Sequence, residues 1–193
     1  MNDPSADLAL QKQQLRERLR FRRRHYAANL DGMARLAAFR VVPQPLADRL
    51  TRRDPVAAYI AWGDEPDIVP MLAGYPLVLP HHAERSDSMN FCRWEPGKAL
   101  AKGPWGTDQP GEPSAPIEPA LIFCPLVGFD RKGNRLGQGG GHYDRFFAAH
   151  PAIPRIGVGW SVQEVDAIPA EPTDMPLDAV LTEQEFIICG ETL

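Results

Sequence analysis

The sequence is short of cysteine, of long apolar runs and of any internal repeat. Its three cysteines, Cys92, Cys124 and Cys189, are odd in number and far apart, with no CxxC pair. That argues against a disulfide framework or a zinc site. Cys92 and Cys124 lie inside apolar runs and read as small buried hydrophobes. No apolar stretch approaches the ~20 residues of a membrane-spanning helix. The first ten residues lack the basic-then-apolar pattern of a signal peptide. These absences predict a soluble, cytoplasmic chain without a membrane partner. Also missing is a strong net charge, which is formally only -4.

The charge that is present is uneven. Residues 1–53 carry twelve Lys/Arg against five Asp/Glu, and residues 54–193 carry nine against twenty. A basic N-terminal arm therefore meets either an anionic ligand or the acidic body of its own domain. The 193 residues suit one domain with a sizeable core. Twenty prolines divide the chain beyond Arg53 into short segments and exclude long helices there.

Pro4 is placed to start a helix. From there to about Asn29 the chain has no Gly or further Pro, and Leu8, Leu15, Leu19, Tyr26 and Leu30 recur at helical spacing. Asp31-Gly32 ends this long helix. A second is expected over Met33–Arg40 and a short helical piece over Leu46–Arg53. Apolar runs at Pro55–Trp62, Leu77–Leu79, Ala120–Cys124, Arg155–Trp160 and Asp178–Leu181 read as buried strands, and Met89–Trp94 as a strand nearer an edge. Pro66–Gly74 and Gly141–Ala149 are helix candidates, and the Gly/Pro-rich stretch Lys98–Pro119 reads as loop. The expected fold class is α/β, a single three-layer α/β/α domain over residues 1–193 with a mainly parallel sheet. Its ligand site should lie beyond the carboxyl ends of the strands.

The densest chemistry is in Gly128–Arg145, between a buried strand and a helix. Gly137, Gly139, Gly140 and Gly141 let the backbone approach a bulky anion, with consecutive N–H groups free to point at phosphate oxygens. The helix that follows directs its positive end at the same place, and Arg135 adds a two-pronged cation. A dinucleotide fingerprint is excluded, because glycine would have to stand where His142 does. A P-loop is excluded because no GKS or GKT follows. A tight turn explains one or two of these glycines, not four in five positions between Arg135 and Asp144.

The run Arg135-Leu136-Gly137-Gln138-Gly139-Gly140-Gly141-His142-Tyr143-Asp144 resembles the RLGxGxGYYD signature of the 5-formyltetrahydrofolate cyclo-ligase (methenyltetrahydrofolate synthetase) family. Lys12-Gln13-Gln14-Leu15-Arg16 resembles its N-terminal KxxLR, and Asp64-Glu65 its acidic substrate-binding turn. Gly103-Pro104-Trp105-Gly106 resembles a loop whose Trp borders the folate. Glu171-Pro172-Thr173-Asp174, Leu177-Asp178 and Thr182-Glu183 resemble the closing pattern. The likeness spans nearly the whole chain in register. It departs at His142, where the family has Tyr, and at Thr173, where it has His.

The resemblance implies the fold of the sugar-isomerase/coenzyme A transferase type. It also implies an ATP- and Mg²⁺-dependent closure of 5-formyltetrahydrofolate to 5,10-methenyltetrahydrofolate. It assigns ATP to Lys12, Gln13, Gln14, Leu15, Arg16 and the run from Arg135 to Tyr143, with Lys12 and Arg135 as catalytic cations. It assigns the folate to Ile60, Glu65, Trp105, Gln138, His142 and Tyr143, and magnesium to Asp144 and Asp174. Lys12 and Arg16 share a helical face. Phe129 is a further aromatic candidate, more simply read as core. Arg18, Arg20, Arg22, Arg23 and Arg24 read as a solvated basic face, and His81 and His82 as loop residues rather than metal ligands. The partners expected are small molecules rather than nucleic acid, with a monomer favoured and a dimer open.

Three other readings compete. A phosphosugar or coenzyme A enzyme of similar architecture would use the glycine loop but leave Lys12, Arg16 and Asp174 idle. An RNA- or DNA-binding arm over residues 12–24 lacks interleaved aromatics and belongs to an acidic chain. A catalytically silent folate or ATP binder would retain the same motifs.

Overall fold

A computed structural model describes residues 4–51, 53–85 and 88–190. Helix α1 runs over Pro4–Asn29 as the spacing predicts. Its inner face is not purely apolar: Lys12 and Arg23 are buried there beside Leu15, Leu19 and Ala27. The Asp31 carboxylate accepts hydrogen bonds from the Met33 and Ala34 amides and starts α2, Gly32–Ala37. This helix is shorter than the expected Met33–Arg40, because Phe39 adopts a positive φ of 53° and turns its ring against Trp160. Helix α3, Gln44–Leu50, buries Leu46 and Leu50.

The main sheet has seven strands: β1 Val56–Ala57, β2 Leu77–His81, β3 Asn90–Trp94, β6 Leu121–Pro125, β9 Arg155–Val158, β10 Ala179–Leu181 and β11 Phe186–Ile188. Their order is β11-β10-β9-β6-β1-β2-β3. The five inner strands run parallel, and β3 and β11 are antiparallel edges. Successive side chains alternate between faces. Leu77, Leu79, Leu121 and Phe123 face a core with α3 and Trp160. Val78, Ile122, Cys124 and Val180 face a second core with Phe147 of helix α4, His142–Ala149. Helices on both sides of one sheet give the three layers. Among the described residues no helix is long and apolar enough to cross a membrane.

Beyond α2, five sequence expectations need correcting. The helix expected over Pro66–Gly74 is only a short 3-10 turn, Pro70–Leu72. The strand expected over Pro55–Trp62 pairs only at Val56–Ala57, because the chain then peels away to form the turn carrying Glu65. Strand β2 continues through Pro80 to His81. Val78 accepts from the Ala58 amide, so Pro80, two residues on, stands where the ladder to β1 ends, a place that accommodates a residue without an N–H. The expected loop over Lys98–Pro119 contains a hairpin, β4 Leu100–Lys102 with β5 Asp108–Pro110. Its Gly103–Gly106 segment is the turn, with Gly106 at φ 77°. Strand β11 was not anticipated. A small hairpin, β7 Gly128–Phe129 with β8 Arg135–Leu136, leads into the glycine loop.

Candidate active site

A cavity of about 870 Å³ opens beyond the carboxyl ends of the parallel strands, where α/β sheets place their ligands. Its wall brings together residues far apart in sequence: Lys12 and Arg16 from α1, Ile60 and Glu65 after β1, Trp105 of the β4–β5 turn, Arg135 to Asp144, and Asp174.

The glycine loop is built on β8 and α4. Gly139 has φ 108°, and Gly141, the residue that caps α4, has φ 64°, both in the region that only glycine enters at low cost. The first amides of α4 have no acceptor inside the helix and lie at the cavity wall with the loop. Three arginines surround it. Arg16 Nε donates to the Gly137 carbonyl at 2.9 Å, and Arg20 Nη2 to Gln138 Oε1 at 2.7 Å. A methyl group on Gly137 would come within 2.9 Å of Arg135 Nη1.

Arg135 is almost fully enclosed. Its Nη2 donates to Asp144 Oδ1 at 2.6 Å, and its guanidinium lies 5.7 Å from the Tyr143 and Phe147 ring centres. Burial opposes the charge, but Cys124, in its ionised form, and the Asp144 carboxylate outweigh it and hold the pKa above its ordinary value. Arg135 Nε has no hydrogen-bond partner among the described residues.

Elsewhere on the wall, Lys12 Nζ contacts Asp174 at 2.5 Å and Glu171 at 2.7 Å. Burial lowers its pKa, yet the hydrogen bonds and charges of both carboxylates reverse the sign and leave it raised. Thr173 lines the cavity beside them.

The aromatic side is formed by Tyr59, Trp62, Trp105, His142 and Tyr143. The His142 ring lies 4.7 Å from His82 and 5.0 Å from Trp105, and Nδ1 is 3.1 Å from Arg145. Burial, His82 and Arg145 together lower the His142 pKa. Burial raises the Tyr143 phenol well above 10.0.

Three members of the KxxLR segment stand apart from the cavity. Gln13 and Gln14 are exposed on the outer face of α1, and Leu15 packs with Leu19, Val127, Leu136 and Ile168. Phe129 is fully buried in the core. Arg23 needs a correction: it is not on a solvated face but 5% exposed, with Nη1 at 3.5 Å from Glu65 Oε1. The signal for it was helical phase, since it stands seven residues after Arg16 on the same face of α1. His82 is likewise part of the cavity wall, and Glu171 joins Asp174 on Lys12; neither residue type declares such a role by spacing alone.

The sequence model of the 5-formyltetrahydrofolate cyclo-ligase family matches residues 9–183. A 5-formyltetrahydrofolate cyclo-ligase of Haemophilus influenzae is 28% identical over 184 residues, covering 87% of this chain and 97% of the relative. One from Mycolicibacterium smegmatis is 32% identical over 149 residues, covering 69% and 75%. The fold matches the solved structure of Aquifex aeolicus 5,10-methenyltetrahydrofolate synthetase with a TM-score of 0.69, at 24% identity over 94% of this chain and 95% of that one. A glycine loop ringed by cations, a buried Glu65 and a match running almost from end to end lead to one conclusion: the chain belongs to the 5-formyltetrahydrofolate cyclo-ligase family.

Proposed function

We propose that this protein closes 5-formyltetrahydrofolate into 5,10-methenyltetrahydrofolate at the expense of ATP, releasing ADP and phosphate. The observation that carries the reading is the joining of two unlike surfaces in one cavity. A cationic, glycine-lined half suits a triphosphate, and a half with Glu65, Ile60, Trp105 and Tyr143 suits a flat heterocycle with N–H donors. The volume is near the upper end of the ~300–1,000 Å³ usual for small-molecule sites, as two ligands meeting there require.

In the proposed reaction the formyl oxygen attacks the γ-phosphorus, an O–P bond forms, and the bond to ADP breaks. N10 then attacks the formyl carbon, loses its proton, and phosphate departs with the C–O bond. Such a transfer calls for alignment and charge neutralisation more than for a protein nucleophile. Lys12, Arg16 and Arg135 supply the neutralisation, and the Gly137–Gly141 amides hold the phosphates. Glu65 accepts from pterin N–H groups while Trp105, Tyr143 and His142 wall the ring, with Ile60 adding apolar surface.

The carboxylates Asp144 and Asp174 fit Mg²⁺ arriving with the nucleotide. They offer hard oxygen donors on the cavity wall, and each already faces a cation that a phosphate would engage. Among the described residues no group of three or more His, Cys, Asp or Glu is gathered to hold a metal by itself, so phosphate oxygens complete the set. When bound, the ion neutralises charge on the transferring phosphoryl group.

The test is the near-ultraviolet absorbance of the methenyl product after 5-formyltetrahydrofolate is added. It should grow only with both ATP and Mg²⁺ present. A folded protein that yields none under those conditions would reject the reading.

A further inference from the structure

The carboxylates of the cavity are of two kinds. Asp144 and Asp174 have close cationic partners at 2.6 Å and 2.5 Å. The Glu65 side chain, only 7% exposed, has its nearest cation among the described residues, Arg23, at 3.5 Å. Its Oε2 accepts from the Trp62 amide at 3.1 Å. Its Oε1 meets Arg23 Nη1 and Gln138 Nε2, each at 3.5 Å, the outer limit of a hydrogen bond. Oε1 thus keeps capacity for a better donor. Burial pushes the Glu65 pKa up, opposed by the Trp62 amide, the Arg23 charge and Gln138.

The Arg23 side chain is as enclosed as that of Glu65, and its Nε has no hydrogen-bond partner among the described residues. A guanidinium buried between Leu19 and Ala27 on the inner face of α1 is costly unless it is matched by an opposite charge. Glu65 is the ion-pair partner that the structure provides. Of the other groups near Glu65, Tyr59 and Tyr143 hold their protons, their pKa values raised by burial. Asp64 and Asp67 share its turn, and Arg20 donates to Gln138, which in turn reaches Glu65.

We propose that Arg23 is a positioning residue for folate recognition, keeping the Glu65 carboxylate charged and fixed at the cavity wall. This rests on the reading of Glu65 as the pterin acceptor. It extends the functional face of α1 from Lys12 to Arg23, about 16 Å along the axis, so that one helix serves both halves of the cavity.

The experiment is 5-formyltetrahydrofolate binding without nucleotide, from pH 6 to 9, by titration calorimetry on the full chain and on Arg23→Met, Arg23→Lys and Glu65→Gln. Arg23→Met should weaken binding about tenfold at neutral pH, the scale of one charge-assisted hydrogen bond. It should also move the acid loss of binding to higher pH, since Glu65 then protonates more readily. Arg23→Lys should restore the acid limb, which a purely structural role would not do. Parent-like affinity and acid limb in Arg23→Met, or a lysine variant as defective as the methionine one, overturns the proposal. If Glu65→Gln binds like the parent, the underlying reading of Glu65 falls and the proposal with it. A weakened Glu65→Gln beside an unaffected Arg23→Met sinks the Arg23 role alone. Should Arg23→Met not fold, Arg23→Gln serves under the same criteria.

Discussion

Arg135 and Asp144 are joined at the base of the glycine loop, Nη2 to Oδ1 at 2.6 Å. Lys12 stands in the same relation to Asp174. Two of the cations assigned to phosphate, Arg135 and Lys12, thus face carboxylates assigned to magnesium, while the third, Arg16, holds the Gly137 carbonyl. In the proposed reaction, phosphates that engaged Arg135 and Lys12 would leave Asp144 and Asp174 to hold the metal ion.

Arg135→Ala should lower kcat on the order of 100-fold or more, as loss of a charge-stabilising contact does. Folate affinity should change far less, because Arg135 lies with the phosphate half of the cavity. Steady-state rates beside direct folate binding check this. Equal losses in both would mean that Arg135 acts on the folate.

Lys12→Met should raise KM for ATP and loosen α1 from the Glu171–Asp174 turn. The folded-state pKa of Lys12 is raised above 10.5, so its stabilisation is complete below that value and fades as pH rises beyond it. The Tm gap between parent and variant should therefore be constant at neutral pH and narrow in the alkaline range as Lys12 loses its proton. A gap that stays constant through the alkaline range would contradict the assignment.

His142→Tyr should leave activity equal or higher, since tyrosine keeps a flat ring on the wall beside Trp105. The His142 pKa is lowered below 6.5, so its neutral form favours the fold above that pH and protonation destabilises as pH falls through the folded value. Thermal melts of the variant should be less sensitive to acid than those of the parent. Collapse of activity would instead assign this histidine a specific chemical task.

Leu19→Ala should destabilise the chain by about 3 kcal/mol, in the range for emptying a fully buried leucine site. Leu19 is 0% exposed and holds α1 on Val127, Leu136 and Ile168. Because α1 carries Lys12 and Arg16, KM for ATP should rise as well. Denaturant unfolding and kinetics on the same preparation measure both.

The parallel strands were legible because each is a short apolar run buried on both faces, as at Ala120–Cys124. The β4–β5 hairpin was not, since its exposed strand Leu100–Lys102 has no apolar signature and its turn glycines dominate the composition. Arg23 was hidden for a related reason. A charge on a helix reads as solvated until the partner that buries it, here Glu65, is brought in by the turn after β1.

What the sequence alone determined is local: the long helix from its spacing, the sheet from its apolar runs, and the tight loop from four glycines beside Arg135. These follow from backbone geometry and side-chain chemistry within a few turns or strands. Only the tertiary structure decided which charges face each other. Lys12 with Asp174 and Arg23 with Glu65 are pairings across 162 and 42 residues, set by where the sheet ends and where α1 is clamped. Coulomb energy depends on distance in space, and the order of residues along the chain does not specify it.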